Sequence, residues 1–125
     1  MAEIPKIKVK RVEKPWGHEI IYAHNKNYAG KILFVRQGEA LSLQYHEKKD
    51  ETLYIQQGSV EFVTLDEKTG DPLTIVLKEG DAVHIKPKMR HRISGLRDST
   101  ILEVSSPFLD DVVRLEDRYG RTKEG

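Results

Sequence analysis

Residues 38–58 of the sequence read GEALSLQYHEKKDETLYIQQG and form its most informative stretch. Successive side chains of a β-strand point to opposite faces. In a strand over residues 41–46, Gln44 and His46 therefore share one face, and Glu51 begins the next apolar strand. The alternation alone leaves two interpretations open. The polar face meets water, or it points into the protein, where each polar group needs a partner.

The same alternation of apolar and polar residues, separated by turn residues, recurs along most of the chain. About nine or ten short strands are predicted, and their spacing is typical of an antiparallel sandwich or barrel. They cover residues 6–12, 19–22, 31–36, 41–46, 51–56, 60–65, 73–77, 82–86, 91–94 and 100–104. Residues 109–116 are expected to form a short helical turn. No linker or repeat interrupts the pattern, so residues 1–125 are predicted to form a single domain.

Composition excludes several classes of function. The 21 basic and 20 acidic residues leave a net charge of +1, so the sequence lacks the basic face that nucleic-acid binding needs. It contains no cysteine, so a metal would bind to histidine, carboxylate, amide or water. No apolar run approaches the ~20 residues of a membrane span, and the N-terminus does not resemble a signal peptide. A cytoplasmic protein is expected.

The spacing of polar and glycine residues in this stretch resembles the first motif of the cupin superfamily. The matching positions are Gly38, Gln44, His46, Glu51 and Gly58. Gln44 stands where the superfamily usually has its first histidine. Gly80, Pro87 and His91 resemble the second cupin motif, with the proline one place later than usual.

This resemblance implies a cupin fold, which is a double-stranded β-helix or jelly-roll barrel. It also implies that the polar face points into the barrel and holds one divalent metal. The implied ligands are Gln44, His46, Glu51 and His91. Such a nitrogen and oxygen set suits Zn, Mn, Co, Ni or Fe and leaves positions open for water or substrate.

A larger part of the chain looks like the cupin domain of type II mannose-6-phosphate isomerases (phosphomannose isomerases). That domain also forms the C-terminal half of bifunctional mannose-1-phosphate guanylyltransferases. The matching segments are KPWG at residues 14–17, LSLQYH at 41–46, HR at 91–92, EV at 103–104, DDVVR at 110–114 and EDRYGR at 116–121. Lys49 stands at the position of a family arginine. The 125 residues contain no nucleotidyltransferase domain, so guanylyltransfer is not expected of them.

The narrower resemblance implies a metal-dependent aldose–ketose isomerisation of mannose 6-phosphate and fructose 6-phosphate. This reaction needs a Lewis acid, a base near carbon and cations for the phosphate. The candidate catalytic residues are Glu51, Lys49 and Arg92. The candidate substrate-binding residues are Lys86, Arg90 and Arg114.

Two other functions stay open at this stage. One is a different metal-dependent small-molecule cupin enzyme, such as an oxygenase, decarboxylase or lyase. The other is a non-catalytic module that binds a sugar phosphate. Trp16 is expected to be a core or rim anchor, and residues 114–121 either close the barrel mouth or dock on a second subunit. We expect a homodimer, in which exchanged N-terminal strands would cover exposed apolar surface.

Overall fold

The computed structural model describes residues 3–121. Of the predicted domain over residues 1–125, residues 1–2 and 122–125 lie outside the described residues. No helix in the described part is long and apolar enough to cross a membrane. The described chain is built from β-strands and turns. The strands are β1 (Lys10–Lys14), β2 (Gly17–His24), β3 (Ala29–Val35), β4 (Leu43–Tyr45), β5 (Glu51–Gln57), β6 (Ser59–Leu65), β7 (Pro72–Lys78), β8 (Ala82–Ile85), β9 (His91–Gly95), β10 (Ser99–Ser105) and β11 (Val113–Glu116).

The strands form two sheets, which confirms the all-β prediction. One sheet has six strands in the order β1-β2-β3-β10-β5-β8, and the other has five in the order β11-β4-β9-β6-β7. All pairings between the strands are antiparallel. β10 lies between β3 and β5, although about forty residues separate it from β5 in sequence. Strands that are distant in sequence are therefore brought side by side, and their inner faces line one lumen.

One part of the lumen is filled with apolar side chains from both sheets. The six-stranded sheet contributes Val35, Ile55 and Ile101, and the five-stranded sheet contributes Val60 and Phe62, all at most 2% exposed. Burying each such side chain stabilises the fold by roughly 1.5–3 kcal/mol. Trp16 belongs to the same cluster, as predicted for a core anchor.

The turn between β5 and β6 explains one glycine of the motif. Gly58 has a φ of +92°, which lies in the left-handed region that side chains disfavour. A Cβ atom at this position would lie 2.4 Å from Ser99 Oγ. Gly58 is therefore needed for the close approach of this turn to β10.

The prediction of a helical turn over residues 109–116 is wrong. These residues instead lead into β11, in which Val113 lies opposite Tyr45 and Arg114 opposite Gln44 of β4. β-Branched residues such as Val112 and Val113 favour a strand. Without β11, the backbone groups of β4 on this side would be an unpaired sheet edge.

Two predicted strands have different bounds in the structure. The first, predicted over residues 6–12, is β1 at Lys10–Lys14, because the turn that pairs Lys14 with Gly17 sets where the strand ends. The strand predicted over residues 41–46 is only Leu43–Tyr45. Leu41 therefore packs against the core instead of sharing the outer face with Leu43.

Candidate metal centre

Three of the predicted metal ligands meet in the lumen. His46 follows β4, Glu51 begins β5 and His91 begins β9, and each is at most 5% exposed. Their ligand atoms all lie within 4.8 Å of one another. The Oε2 atom of Glu51 is 2.9 Å from Nε2 of His46 and 4.0 Å from Nε2 of His91. β4 and β9 are neighbours in one sheet, and β5 belongs to the other sheet. The three strands thus bring these side chains to one point in the lumen.

Hydrogen bonds to backbone carbonyls orient both imidazole rings. Nδ1 of His46 lies 2.5 Å from the carbonyl oxygen of Asp111, and Nδ1 of His91 lies 2.9 Å from that of Met89. A carbonyl oxygen only accepts, so Nδ1 carries the proton in each ring. Each Nε2 is then left with a lone pair that points toward Glu51. Metal-binding histidines show the same arrangement, in which the second nitrogen is held by an outer partner.

The charge states of this cluster also suit a cation. Burial lowers the pKa of His91 and so favours its neutral form. Burial by itself would raise the pKa of Glu51. The contact with His46 and the charge of Lys49 outweigh it and lower the pKa to about 2. A neutral imidazole and an ionised carboxylate are the forms that bind metal.

The residues present fit a divalent metal ion. Nε2 of His46 is buried and has no hydrogen-bond partner of suitable geometry, although Glu51 is close. A buried polar atom without a partner is costly, and a cation between the imidazoles and the carboxylate would remove that cost. His46, Glu51 and His91 would hold the metal. A set of two nitrogens and one carboxylate is typical of sites for first-row transition metals.

Gln44, the fourth predicted ligand, faces the same lumen. It lies directly opposite His91 in the β4–β9 pairing, so the two side chains are on the same face of the sheet. Its Oε1 atom accepts a hydrogen bond of 2.6 Å from Oγ of Ser42. Its role as a metal ligand remains a prediction.

The side chains of His46, Glu51 and His91 are called the metal cluster below. A chain of buried ion pairs leads away from it across the six-stranded sheet. Nζ of Lys49 lies 3.6 Å from Glu51 and 2.8 Å from Glu103. Lys31 lies opposite Glu103 in the β3–β10 pairing and forms an ion pair of 3.1 Å with Glu19. Positive and negative groups therefore alternate along the chain, as buried charges require.

This arrangement shifts the pKa values of its members. Burial opposes the charge of Lys49, but the attraction of Glu103 and Glu51 outweighs it and raises the pKa. Burial, together with the charge of Glu51, raises the pKa of Glu103. Lys49 is thus a cation fixed beside the metal cluster. Of the two carboxyl groups that it contacts, Glu103 is closer to its neutral form than Glu51.

A pocket connects the metal cluster with solvent and contains further predicted site residues. Its empty volume is about 620 Å³, including the space at its mouth. Gln44, His46, Glu51, Lys49 and Arg114 line it. Arg114 reaches the pocket because it lies opposite Gln44 across the β11–β4 pairing, on the same face of the sheet.

The structure does not bring the other three predicted basic residues to this pocket. Lys86 and Arg90 are exposed and line a separate groove beside Thr64. Arg92 alternates with His91 along β9 and therefore points away from the lumen, where it contacts Glu116 at 3.3 and 3.7 Å. The expected catalytic role of Arg92 and the expected phosphate contacts of Lys86 and Arg90 do not fit these positions.

The C-terminal residues 111–121 pack against their own barrel, where Val112, Arg114 and Arg121 line the pocket. The Asp111 carboxylate accepts hydrogen bonds of 2.7–3.0 Å from the backbone N–H groups of Glu47, Lys48 and Lys49. These bonds outweigh the effect of burial and lower the pKa of Asp111. The Tyr119 hydroxyl donates a bond of 2.5 Å to Glu39. Because Asp111 also holds the ring of His46, the tail helps to position the metal cluster.

Sequence reasoning missed several charged residues of the site. Glu103 and Lys31 carried a readable signal, because each shares a strand face with buried apolar residues, Ile101 and Leu33 respectively. Lys14, Arg121 and the role of Asp111 carried no such signal. They reach the site through the β1–β2 hairpin and the folded tail, which local patterns do not specify.

Two facing antiparallel sheets with this histidine and carboxylate cluster between them define a cupin. Solved cupin structures share the fold. An oxalate decarboxylase from Bacillus subtilis superimposes with a TM-score of 0.74 at 22% identity, covering 86% of this chain and 30% of that one. KdgF from a Halomonas species gives a TM-score of 0.69 at 24% identity, covering 83% of this chain and 91% of the other.

Within the cupins, the chain belongs to the family described as mannose-6-phosphate isomerase C-terminal, whose model matches residues 5–117. Its relatives include the alginate biosynthesis protein AlgA of Pseudomonas aeruginosa, 35% identical over 118 residues. A mannose-1-phosphate guanylyltransferase of Escherichia coli is 33% identical over 117 residues. The alignments cover 90% of this chain but only 23% of each relative, so the chain spans about a quarter of their length.

Removal of the His46 imidazole should weaken metal binding, whereas removal of a surface imidazole should leave it unchanged. Loss of an outer partner typically weakens a metal site 10–100-fold, so we expect His46→Ala to weaken Zn²⁺ binding by at least about 100-fold. His84→Ala is the matched control, because His84 is exposed and contacts Asp50 outside the pocket. Competition titration with a chromophoric chelator measures both affinities. Equal affinity of the two variants would contradict the assignment of the cluster.

Proposed function

We propose that this cupin is a metal-dependent isomerase of a phosphorylated sugar, of the type that interconverts mannose 6-phosphate and fructose 6-phosphate. The observation that carries the proposal is the His46, Glu51 and His91 cluster, which opens into a pocket lined by cationic side chains. Membership of the mannose-6-phosphate isomerase C-terminal family supports the choice of reaction. We also propose the cytoplasm as its location, as expected from the sequence.

Aldose–ketose isomerisation moves a proton between two neighbouring carbons of the open-chain sugar. The metal, when bound, would act as a Lewis acid on the substrate oxygens. Lys49 supplies a fixed positive charge in the buried pocket, where it would stabilise the negative charge that develops on oxygen. Its ammonium group lies next to both Glu51 and Glu103.

The proton transfer needs a carboxyl group or a water molecule as base. Glu51 is ionised but would be engaged by the metal, which weakens it as a base. Glu103 is buried in the same pocket, and its raised pKa brings it closer to the range in which a group both accepts and donates a proton. We therefore propose Glu51 as the orienting carboxylate and Glu103 as a second candidate for the proton transfer.

Turnover by metal-loaded protein tests this function. We expect conversion of mannose 6-phosphate to fructose 6-phosphate in a coupled assay, lost on chelation and restored by metal. Lys49→Met should lower kcat/KM by at least about 100-fold, because it removes a buried charge that faces the reaction. Lys48→Met is the matched control, since Lys48 is exposed and outside the pocket, and should stay within about twofold of the parent.

Metal content must be measured in every sample of this assay. A full metal load without turnover of either sugar phosphate would contradict the isomerase. Stabilisation by a sugar phosphate without turnover would instead indicate a binding module. Oxygen consumption, or activity restricted to Fe²⁺, would indicate another reaction of the metal centre.

We further propose that two copies form a homodimer through the outer face of the six-stranded sheet. This face presents Tyr22, Tyr54 and Val104 to solvent, with Val104 57% exposed. The N-terminal residues 3–9 form no strand, and Ile4 and Ile7 are exposed there. A second copy would cover the sheet face and give the apolar N-terminal segment a surface on which to pack.

A charge on the proposed interface should separate the copies. We expect a dimer by light scattering after size-exclusion chromatography, and a monomer for Val104→Glu, because a carboxylate would be buried without a partner. Ile75→Glu is the matched control, since Ile75 is 52% exposed but lies on β7 of the other sheet. A monomeric parent protein, or dissociation by both variants alike, would contradict this interface.

A further inference from the structure

Three basic side chains line the same pocket as the metal cluster but come from distant parts of the chain. Lys14 ends β1, Arg114 lies on β11, and Arg121 lies in the tail after β11. They reach the pocket from the C-terminal strand and from the hairpin that opens the chain. Of the three, only Arg114 was predicted from the sequence to bind substrate.

The charges of these three residues are compensated unequally. Arg121 is held by Asp117 through two hydrogen bonds of 2.9 Å, and this contact lowers the pKa of Asp117 to about 2. Lys14 and Arg114 form no ion pair within residues 3–121. The Nε atom of Arg114 is buried and has no hydrogen-bond partner there.

The charges of these two cations without an ion pair, Lys14 and Arg114, also repel each other. Burial lowers the pKa of Lys14, and the charges of Lys31, Arg114 and Arg121 lower it further, against the attraction of Glu19. Burial likewise lowers the pKa of Arg114, with Arg121 acting in the same direction, against the attraction of Asp117 and Glu19. The other two lysines of the pocket, Lys31 and Lys49, already have carboxylate partners. Lys14 and Arg114 are therefore the two basic side chains of the pocket that have no ion-pair partner within residues 3–121.

We propose that Lys14 and Arg114, with Arg121 beside them, bind the phosphate group of the substrate at a subsite separate from the metal cluster. A phosphate monoester carries a charge of about −1.5 to −2 at neutral pH, which matches the two unpaired cations. The guanidinium group of Arg114 offers the planar set of donors that suits phosphate oxygens. Asp117 fixes the guanidinium of Arg121 and leaves its remaining N–H groups available.

This subsite rests on the sugar-phosphate function proposed above and adds a second point of attachment to it. The metal cluster would engage the oxygens of the reacting carbons, and the basic subsite would engage the phosphate. A substrate held at both places is fixed in orientation, which lowers the barrier of the proton transfer. Unphosphorylated sugars would lose the second attachment.

Phosphate binding can be measured independently of turnover. We expect metal-loaded protein to bind inorganic phosphate in an isothermal titration, and Arg114→Met and Lys14→Met each to weaken that binding by about tenfold or more. Arg114→Lys should recover part of the loss because it restores the charge. Arg90→Met and Lys86→Met are the matched controls, since both residues are exposed and line a separate groove. Their affinity should equal that of the parent.

The outcomes distinguish the subsite from the reaction. Phosphate binding that depends on Arg114 in a protein without isomerase turnover would support the subsite and contradict the reaction. Turnover with an unchanged KM in both Arg114→Met and Lys14→Met would support the reaction and overturn the subsite. Phosphate affinity that falls in His46→Ala but not in Arg114→Met would place the phosphate on the metal and also overturn the subsite. Absence of phosphate binding by the parent protein would overturn it as well.

Discussion

Charged groups buried between two β-sheets must be paired, because removing an ion from water costs several kcal/mol unless another charge or a metal compensates it. Six ionisable residues within the described part of the chain, residues 3–121, are at most 7% exposed as whole residues: Lys31, His46, Lys49, Glu51, His91 and Glu103. Most of this charge is compensated by the alternating ion pairs that run from Glu19 to Glu51. At the end of that chain, Nε2 of His46 stays without a hydrogen-bond partner. A divalent metal would complete the pairing there.

The same constraint explains how the lumen is divided. Apolar side chains such as Ile55, Val60 and Ile101 fill one part and supply the free energy that stabilises the two sheets. The polar part contributes less to stability and more to chemistry, since each of its groups holds another in place. Asp111 shows the link between the two, because it anchors the loop after β4 and also orients the ring of His46. The tail is thus part of the site as well as of the fold.

Much of this arrangement could be read from the sequence, and the limits follow from strand geometry. The resemblance to the two cupin motifs implied that His46, Glu51 and His91 cluster, and the structure brings these three residues together. Residues two apart on a strand share a face. The same rule, applied to His91, would have placed the neighbouring Arg92 on the outer face. Glu103 shares its face with Ile101 and could have been found in the same way.

Other features depend on contacts that a local pattern does not contain. Residues 113–116 form a strand because they pair with the edge of β4. The sequence of this segment alone does not show that such an edge is available. Lys14 and Arg121 are more than one hundred residues apart and meet only when both ends of the chain have folded onto the barrel. Arg114 was predicted to bind substrate, but local patterns did not show that Lys14 and Arg121 line the same pocket.

X-ray absorption spectroscopy at the Zn edge, on protein loaded with one equivalent of Zn²⁺, tests directly whether His46, Glu51 and His91 hold the metal. If they do, the first shell contains two imidazole nitrogens at about 2.0–2.1 Å and a carboxylate oxygen at about 2.0–2.2 Å. A first shell of oxygen alone, without imidazole scattering, would show that the metal binds elsewhere. The buried His46, Glu51 and His91 cluster would then have to be explained as a structural ion pair.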